Sequence, residues 1–147
     1  MSKNKKIVLT VTAVLLIGVL IFMFLPEDKI SDQKMTVTIG DRNFTAVLYD
    51  NKTAQEFYDR LPMTLEMSEL NGNEKYHNLD KPLPINSSVA GHISKGDMRL
   101  FRDDCIVLFY DSFTSGYSYT NIGYIEDTDG LEEALGSGSV TVTFEAK

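Results

Sequence analysis

A long apolar segment near the N-terminus, interrupted only by Thr10, Thr12 and Gly18, constrains this chain more than any other feature. The segment begins at Ile7, ends at Leu25 and contains no charged side chain. As an α-helix rising about 1.5 Å per residue, it would be about 28 Å long, which matches the hydrocarbon thickness of a bilayer. Lys3, Lys5 and Lys6 precede it, and positively charged flanks stay on the cytoplasmic side of a membrane. The sequence therefore predicts a single transmembrane anchor followed by an extracytoplasmic remainder.

A cleaved signal peptide is the alternative reading of the same segment. Cleavable signals have a shorter apolar core and small residues at the cleavage site. Here the apolar segment closes with the bulky residues Phe22, Met23 and Phe24. We therefore predict an uncleaved signal-anchor, with secretion after cleavage as the alternative.

The rest of the chain is predicted to form one domain. The divisions that we predict are a cytoplasmic basic segment at residues 1–6, the anchor at 7–25, a linker at 26–33 and the external domain at 34–147. A domain of this size is large enough to bury its own core. The linker would reach at most about 28 Å when extended, so the domain would stay close to the bilayer.

Charge and cysteine content exclude some classes of function. The chain has a net charge of −7, and because the three N-terminal lysines are positive, the external part carries −10. A surface this acidic argues against a nucleic-acid partner. Cys105 is the only cysteine, so no intramolecular disulfide can form. It begins a strand-like apolar run, which predicts a buried and unreactive thiol.

The external domain is predicted to be mainly β. Alternation of apolar and polar residues is typical of half-buried strands, and a short continuous apolar run is typical of a fully buried one. The predicted strands are residues 35–39, 44–49, 63–70, 96–101, 105–110, 121–125 and 140–144. Few charges lie at strand edges, and closing the sheet into a barrel would protect those edges.

Two helices and a long loop separate the predicted strands. Thr53 and Glu56 match a capping box, and Pro62 would end the first helix because it disfavours helical backbone in the preceding residue. Asp129 would cap a second short helix. The polar residues 71–88 show little periodicity, which predicts a long surface loop.

Several segments resemble the bacterial cyclophilin-like domain family. They are residues 51–57, Leu61-Pro62, 96–100, 108–110, 117–125 and 131–140. The resemblance covers nearly the whole external domain, from Met35 to Phe144. It implies a cyclophilin-like β-barrel of about eight strands with two short helices closing its ends.

The resemblance does not extend to the catalytic residues of true cyclophilins. Those isomerases carry a Phe-His-Arg stretch, then a Phe and a Gln, beside a pocket for proline. No such string occurs here, and the only glutamines are Gln33 and Gln55. Prolyl isomerisation needs a positioned donor to the prolyl nitrogen, because the amide barrier is about 18–20 kcal/mol. The resemblance therefore implies a cyclophilin shell without its catalytic set, and we predict no catalytic residue.

Other reaction chemistry finds no support in the sequence. There is no Gly-x-Ser-x-Gly elbow and no glycine-rich phosphate loop with a lysine. His77 and His92 have no partner at metal-ligand spacing. Residues 127–130 fail as a calcium loop because Ile125 would occupy the first ligand position. We predict no metal site and no cofactor.

Aromatic residues in and near predicted loops are the remaining candidates for function. Tyrosine offers a broad apolar face and one hydrogen bond, which suits a peptide or small-ligand surface. The resemblance to the cyclophilin-like family implies that residues 112–120 border the open face of the barrel. The candidate ligand-binding residues are Tyr76, His77, Arg99, Phe113, Tyr117 and Tyr119. The alternative is that these aromatic residues only seal the mouth of the barrel.

Three functional hypotheses follow. The first is a membrane-anchored extracytoplasmic domain that binds a peptide or small ligand without catalysis. The second is a divergent peptidyl-prolyl isomerase, which would require Arg99 or Arg42 to reach an apolar pocket. The third is an assembly module for another membrane protein, which a short linker would favour.

Overall fold

Nine strands and two helices follow one another in residues 28–147, the part of the chain that the computed structural model describes. The elements are β1 (Ile30–Ile39), β2 (Arg42–Tyr49), α1 (Lys52–Asp59), β3 (Met63–Leu70), β4 (Glu74–Asn78), β5 (Ser88–Ile93), β6 (Asp97–Phe101), β7 (Cys105–Phe109), β8 (Phe113–Ile125), α2 (Leu131–Leu135) and β9 (Val140–Ala146).

Eight of the strands close into an antiparallel barrel. Their order is β2-β1-β9-β3-β4-β7-β6-β8, and β8 returns to β2 through pairs such as Val47 with Tyr124. The ninth strand, β5, pairs with the first half of β8 and lies outside the closed ring. Closure leaves no free edge in the ring. The mainly-β barrel of about eight strands with two helices is thereby confirmed.

Alternating side chains fill the barrel interior. On β1, Met35, Val37 and Ile39 point inward and are almost fully buried, as the period of a strand requires. Helix α1 packs on this core through Phe57, whose ring meets Phe144 edge-on with centroids 5.5 Å apart. Residues within 28–147 supply a closed barrel and its hydrophobic core, which are the features of a domain that can fold by itself.

Strand β7 is buried on both of its faces. Ile106 and Leu108 belong to the barrel core, whereas Val107 and Phe109 join a second apolar cluster outside the barrel. Ile93 of β5 and Tyr119 of β8 complete this outer cluster. The β5–β8 ribbon therefore covers part of the outer face of the barrel, which explains the continuous apolar composition of β7.

The predicted linker and the predicted long loop both contain strand. Strand β1 begins at Ile30, which pairs with Tyr49, and the Ser31 hydroxyl donates to the Leu48 carbonyl at 2.9 Å. Residues 30–33 therefore belong to the domain and not to a linker. Strand β4 lies within the predicted loop 71–88. Both segments are too polar to show an apolar alternation.

Both predicted helix caps are wrong. Asn51 caps α1, because its side-chain oxygen accepts from the Ala54 amide at 2.8 Å. The Thr53 hydroxyl instead donates to the Pro84 carbonyl at 2.5 Å. Helix α2 follows Gly130, whose left-handed backbone occupies the cap position predicted for Asp129.

The predicted anchor at residues 7–25 lies outside the described residues. Within residues 28–147, no helix has the length and apolar character needed to cross a bilayer.

Candidate ligand-binding groove

A groove of about 690 Å³ lies on the outer face of the barrel. Its floor consists of the paired strands β4 and β7. In this pairing Tyr76 lies opposite Val107, and Asn78 lies opposite Cys105. Because side chains alternate along a strand, Glu74 shares this outer face with Tyr76 and Asn78. Strand β4 thus presents a carboxylate, a phenol and an amide to the groove.

Aromatic rings form one wall of the groove. Phe101 of β6 meets Tyr117 edge-on, with centroids 6.2 Å apart, and lies 5.6 Å from the ring of Tyr119. Tyr119 continues the contact to Phe109, whose ring is 5.7 Å away. Phe113 also lines the groove and packs on Phe109. This wall is continuous with the outer apolar cluster, which holds the rings in place.

The two ends of the groove carry different polar groups. Asn71 and Asn73, from the turn between β3 and β4, lie at the Glu74 end, whereas Arg102 and Asp104 lie at the other. The four-residue step from Glu74 to Asn78 corresponds to about 13 Å along a strand. The groove is therefore long enough to hold three or four residues of an extended peptide.

Glu74 is the least expected residue of the groove. It is only 8% exposed, yet no cation and no hydrogen-bond donor in residues 28–147 contacts its carboxylate. Burial raises the pKa of Glu74, and the negative charge of Glu69 raises it further. A carboxylate in this setting lacks the compensation that buried charges usually have.

Burial and the charge of Glu74 raise the pKa values of both Cys105 and Tyr119. Burial, with the charges of Asp104 and Glu74, raises the pKa of the half-buried Cys105 thiol to about 11. Burial also raises the pKa of Tyr119, again with a contribution from Glu74. At neutral pH both groups therefore keep their protons, and the Cys105 thiol is a poor nucleophile.

Four of the six predicted ligand-binding residues line the groove. Tyr76, Phe113, Tyr117 and Tyr119 come together there, from two segments distant in sequence. Tyr117 is 67% exposed, whereas Tyr119 is almost completely buried. The structure thus unites the aromatic candidates, and their role in binding stays a prediction.

His77 and Arg99 do not line the groove. His77 follows Tyr76 on β4 and points to the opposite face, where its ring nitrogen Nδ1 donates to the Glu66 carbonyl at 2.7 Å. The Arg99 guanidinium donates to Asp97 Oδ2 at 2.9 Å and to the His92 carbonyl at 3.3 Å. Both side chains are engaged within the domain.

Sequence reasoning missed Glu74, Phe101, Arg102 and Cys105 as groove residues. Glu74 would have been found if β4 had been identified, because Tyr76 and Glu74 are two positions apart. Arg102 occupies the β6–β7 turn in a left-handed conformation, with φ of 57°, and its guanidinium carbon lies 5.6 Å from the Phe101 ring centre. No sequence pattern indicates that this turn would meet the aromatic wall.

The other arginines lie away from the groove. Arg42 stacks on Phe44 and donates to the Asp129 carbonyl, while Arg60 pairs with Glu56 at 2.8 Å. No cluster of His, Cys, Asp or Glu in the described part of the chain has the geometry to hold a metal ion.

Together, the closed eight-stranded antiparallel barrel, the helix packed on its core and the groove outside it define residues 28–147 as a β-barrel domain with an external groove. The sequence model of the Cyclophilin-like family matches residues 37–145. The chain belongs to this family, which confirms the resemblance noted in its sequence. No curated protein matches the chain.

Proposed function

We propose that this protein is a membrane-anchored, extracytoplasmic binding module that holds a peptide or small ligand in its outer groove without catalysing a reaction. The observation that carries this proposal is the aromatic wall. The Phe101 ring contacts the rings of both Tyr117 and Tyr119 along an open groove. Large rings fixed by packing against a core lose little freedom when a ligand binds, which is why aromatic residues dominate binding energies.

The dimensions of the groove support a ligand of modest size. Its volume of about 690 Å³ falls within the range of about 300–1,000 Å³ typical of ligand sites. Polar groups at both ends, from Asn73 and Arg102, could orient a bound chain. The exposure of Tyr117 means that one ring of the wall is available to a partner without rearrangement.

The arrangement of polar groups favours binding over catalysis. The Gln55 amide is hydrogen-bonded to Asp59 on α1, and Arg99 is paired with Asp97. Neither side chain lines the groove. A donor aimed at a prolyl nitrogen would have to come from such a group above the groove floor.

Titration of the isotopically labelled fragment 28–147 with proline-containing peptides tests the binding proposal. We expect amide chemical-shift changes at Tyr76, Phe113 and Tyr117. The change at His77, whose side chain is on the opposite face of β4, should be smaller than the change at Tyr76. Absence of any shift near these residues at millimolar peptide would refute it.

The membrane location rests on the apolar segment that ends at Leu25 and on the lysines before it. Protease treatment of intact cells tests it with an epitope tag placed after Lys147. We expect the tag to be digested while the chain stays in the membrane fraction. A tag that is protected until the membrane is broken would contradict this orientation, and a tagged protein in the medium would favour cleavage.

A divergent prolyl isomerase is the second candidate, and Arg102 is the observation that favours it. Arg102 lines the aromatic groove. Arg99 and Arg42, which the sequence offered as possible isomerase residues, do not line it. An isomerisation assay at high protein concentration tests this candidate. Catalysis that disappears in Arg102→Ala would establish it, and the uncatalysed rate alone would exclude it.

A further inference from the structure

Glu74 lies in the groove with no counter-ion. It is more than nine-tenths buried and lines the groove. No ion pair or side-chain hydrogen bond from the described part of the chain reaches its carboxylate. Buried carboxylates are ordinarily paired, because an isolated charge in a poorly solvated site is costly.

The fold keeps the nearest lysine away from Glu74. Lys75 is the next residue on β4, so its side chain points to the opposite face, into the barrel. There its ammonium bonds to the carbonyls of Gly136 and Gly138 and pairs with Glu69 at 2.8 Å. It cannot neutralise Glu74 without leaving these three partners.

The groove arginine is held at the other end. Arg102 belongs to the β6–β7 turn, close to Cys105. Because Cys105 lies opposite Asn78 in the sheet, this turn is at the end of the groove away from Glu74. The Arg102 guanidinium stacks on Phe101. The groove therefore carries an uncompensated anion at the Glu74 end, whereas the other end carries both a cation and a carboxylate, from Arg102 and Asp104.

Two aromatic residues flank Glu74 on the sheet. Glu74 pairs across the sheet with Phe109, whose ring contacts Tyr119, and Tyr76 lies two residues along the same face. Aromatic faces attract cations, and a carboxylate among them adds a direct ion pair. An alkyl-ammonium group would therefore find both an apolar wall for its carbon chain and a partner for its charge.

We propose that the ligand is a peptide with a lysine side chain whose ammonium group pairs with Glu74, while its alkyl chain lies along the aromatic wall. This inference rests on the proposed binding function and names the chemistry that the groove selects. A free alkylamine shares this chemistry, and the peptide is favoured because the groove continues about 13 Å beyond Glu74 along β4.

Two fluorescent peptides that differ at one position test the proposal. One contains lysine and the other contains norleucine, which keeps the alkyl chain and removes the charge. Their affinities for the full-length protein in detergent micelles are compared by fluorescence anisotropy. We expect the lysine peptide to bind at least about tenfold more tightly, the difference that a partly buried ion pair provides.

Variants assign the preference to Glu74. We expect Glu74→Gln to reduce the preference for lysine to less than about twofold. This variant should remain folded because it removes an unpaired buried charge, and thermal unfolding verifies this. Glu133→Gln, at an exposed position of α2, is the matched control and should keep the full preference.

Each other outcome contradicts a different part of the account. Equal binding of the two peptides would overturn the lysine preference and leave the binding function intact. A preference that survives in Glu74→Gln would overturn the role of Glu74. Failure of both peptides to bind at millimolar concentration would overturn the inference together with the proposed function. If 1,5-diaminopentane displaces the lysine peptide at an equal concentration, the ligand is a free amine and the assignment of a peptide is wrong.

Discussion

The Lys75 ammonium and the Glu69 carboxylate form an ion pair of 2.8 Å in which the lysine side chain is completely buried. The Lys75 ammonium also donates to the carbonyls of Gly136 and Gly138, at 2.9 and 2.6 Å. Although burial alone would raise it, Lys75 and the Tyr110 hydroxyl together hold the pKa of Glu69 below its ordinary value. Lys75 therefore ties β4 to the turn that joins α2 to β9.

Replacing Lys75 tests this tie. Lys75→Met fills similar space but leaves one carboxylate and two carbonyl groups without their partner. Breaking one side of a buried ion pair costs about 3–5 kcal/mol, so we expect the free energy of unfolding to fall by about this amount in urea denaturation. Lys52→Met, at an exposed position of α1, should change it by less than about 0.5 kcal/mol. Equal stability of the two variants would show that the tie contributes nothing.

Stability should depend on pH through Glu74. The pKa of Glu74 is raised from its ordinary value of 4.5 in the folded protein, so the folded state holds this proton to higher pH than the unfolded chain. Its ionisation therefore opposes folding increasingly as the pH rises above 4.5. We expect Glu74→Gln to match the wild type in urea denaturation at pH 4 and to exceed it by up to about 1 kcal/mol at pH 7. A variant less stable than the wild type at pH 7 would indicate a partner for this carboxylate.

Gly123 permits the closure of the barrel. It pairs with Leu48 across the β2–β8 contact, and a Cβ atom at this position would lie 2.3 Å from the Val47 carbonyl oxygen. We expect Gly123→Ala to lower the free energy of unfolding by about 2 kcal/mol or more, because the two strands must separate. Gly116→Ala on the same strand meets nothing within 4 Å and is the control. Similar losses for both variants would rule out the steric explanation.

Cys105 should react slowly at neutral pH. With the pKa of its thiol raised to about 11, only a small fraction is thiolate at pH 7, and thiolate is the reactive form. We expect alkylation by iodoacetamide, followed by mass spectrometry, to accelerate about tenfold for each unit of pH between 7 and 9. Rapid modification at pH 7, comparable to that of free cysteine, would contradict the assigned environment.

The sequence predicted the apolar strands of this fold and failed at the polar ones. Residues 35–39 and 140–144 alternate clearly, because one face of each strand is buried and the other meets solvent. Strand β4 has no such pattern, since its buried residues include Glu74 and Lys75. Burial of a lysine is possible only because distant carbonyl groups and Glu69 surround it, and no local pattern reveals such partners.

The candidate groove was predictable only in part, for the same reason. Aromatic residues in or near predicted loops indicate a binding surface, so Tyr76, Phe113, Tyr117 and Tyr119 were identified, whereas Phe101 lies in a predicted strand and was missed. Arg99 and His77 have the right chemistry but lie elsewhere, since pairing within the domain engages them. Which polar residue meets an aromatic wall is decided by strand register, which emerges only when the barrel closes.

Replacement of Tyr117 provides the most direct measurement of the central claim, that the outer groove binds a ligand. Tyr117 and Val89 are similarly exposed, at 67% and 66%, on paired strands, but only Tyr117 lines the groove. The affinity of a peptide that binds the wild type is therefore compared between Tyr117→Ser and Val89→Ser. We expect Tyr117→Ser to weaken binding at least about tenfold and Val89→Ser to leave it unchanged. Equal affinities in the two variants would contradict the account.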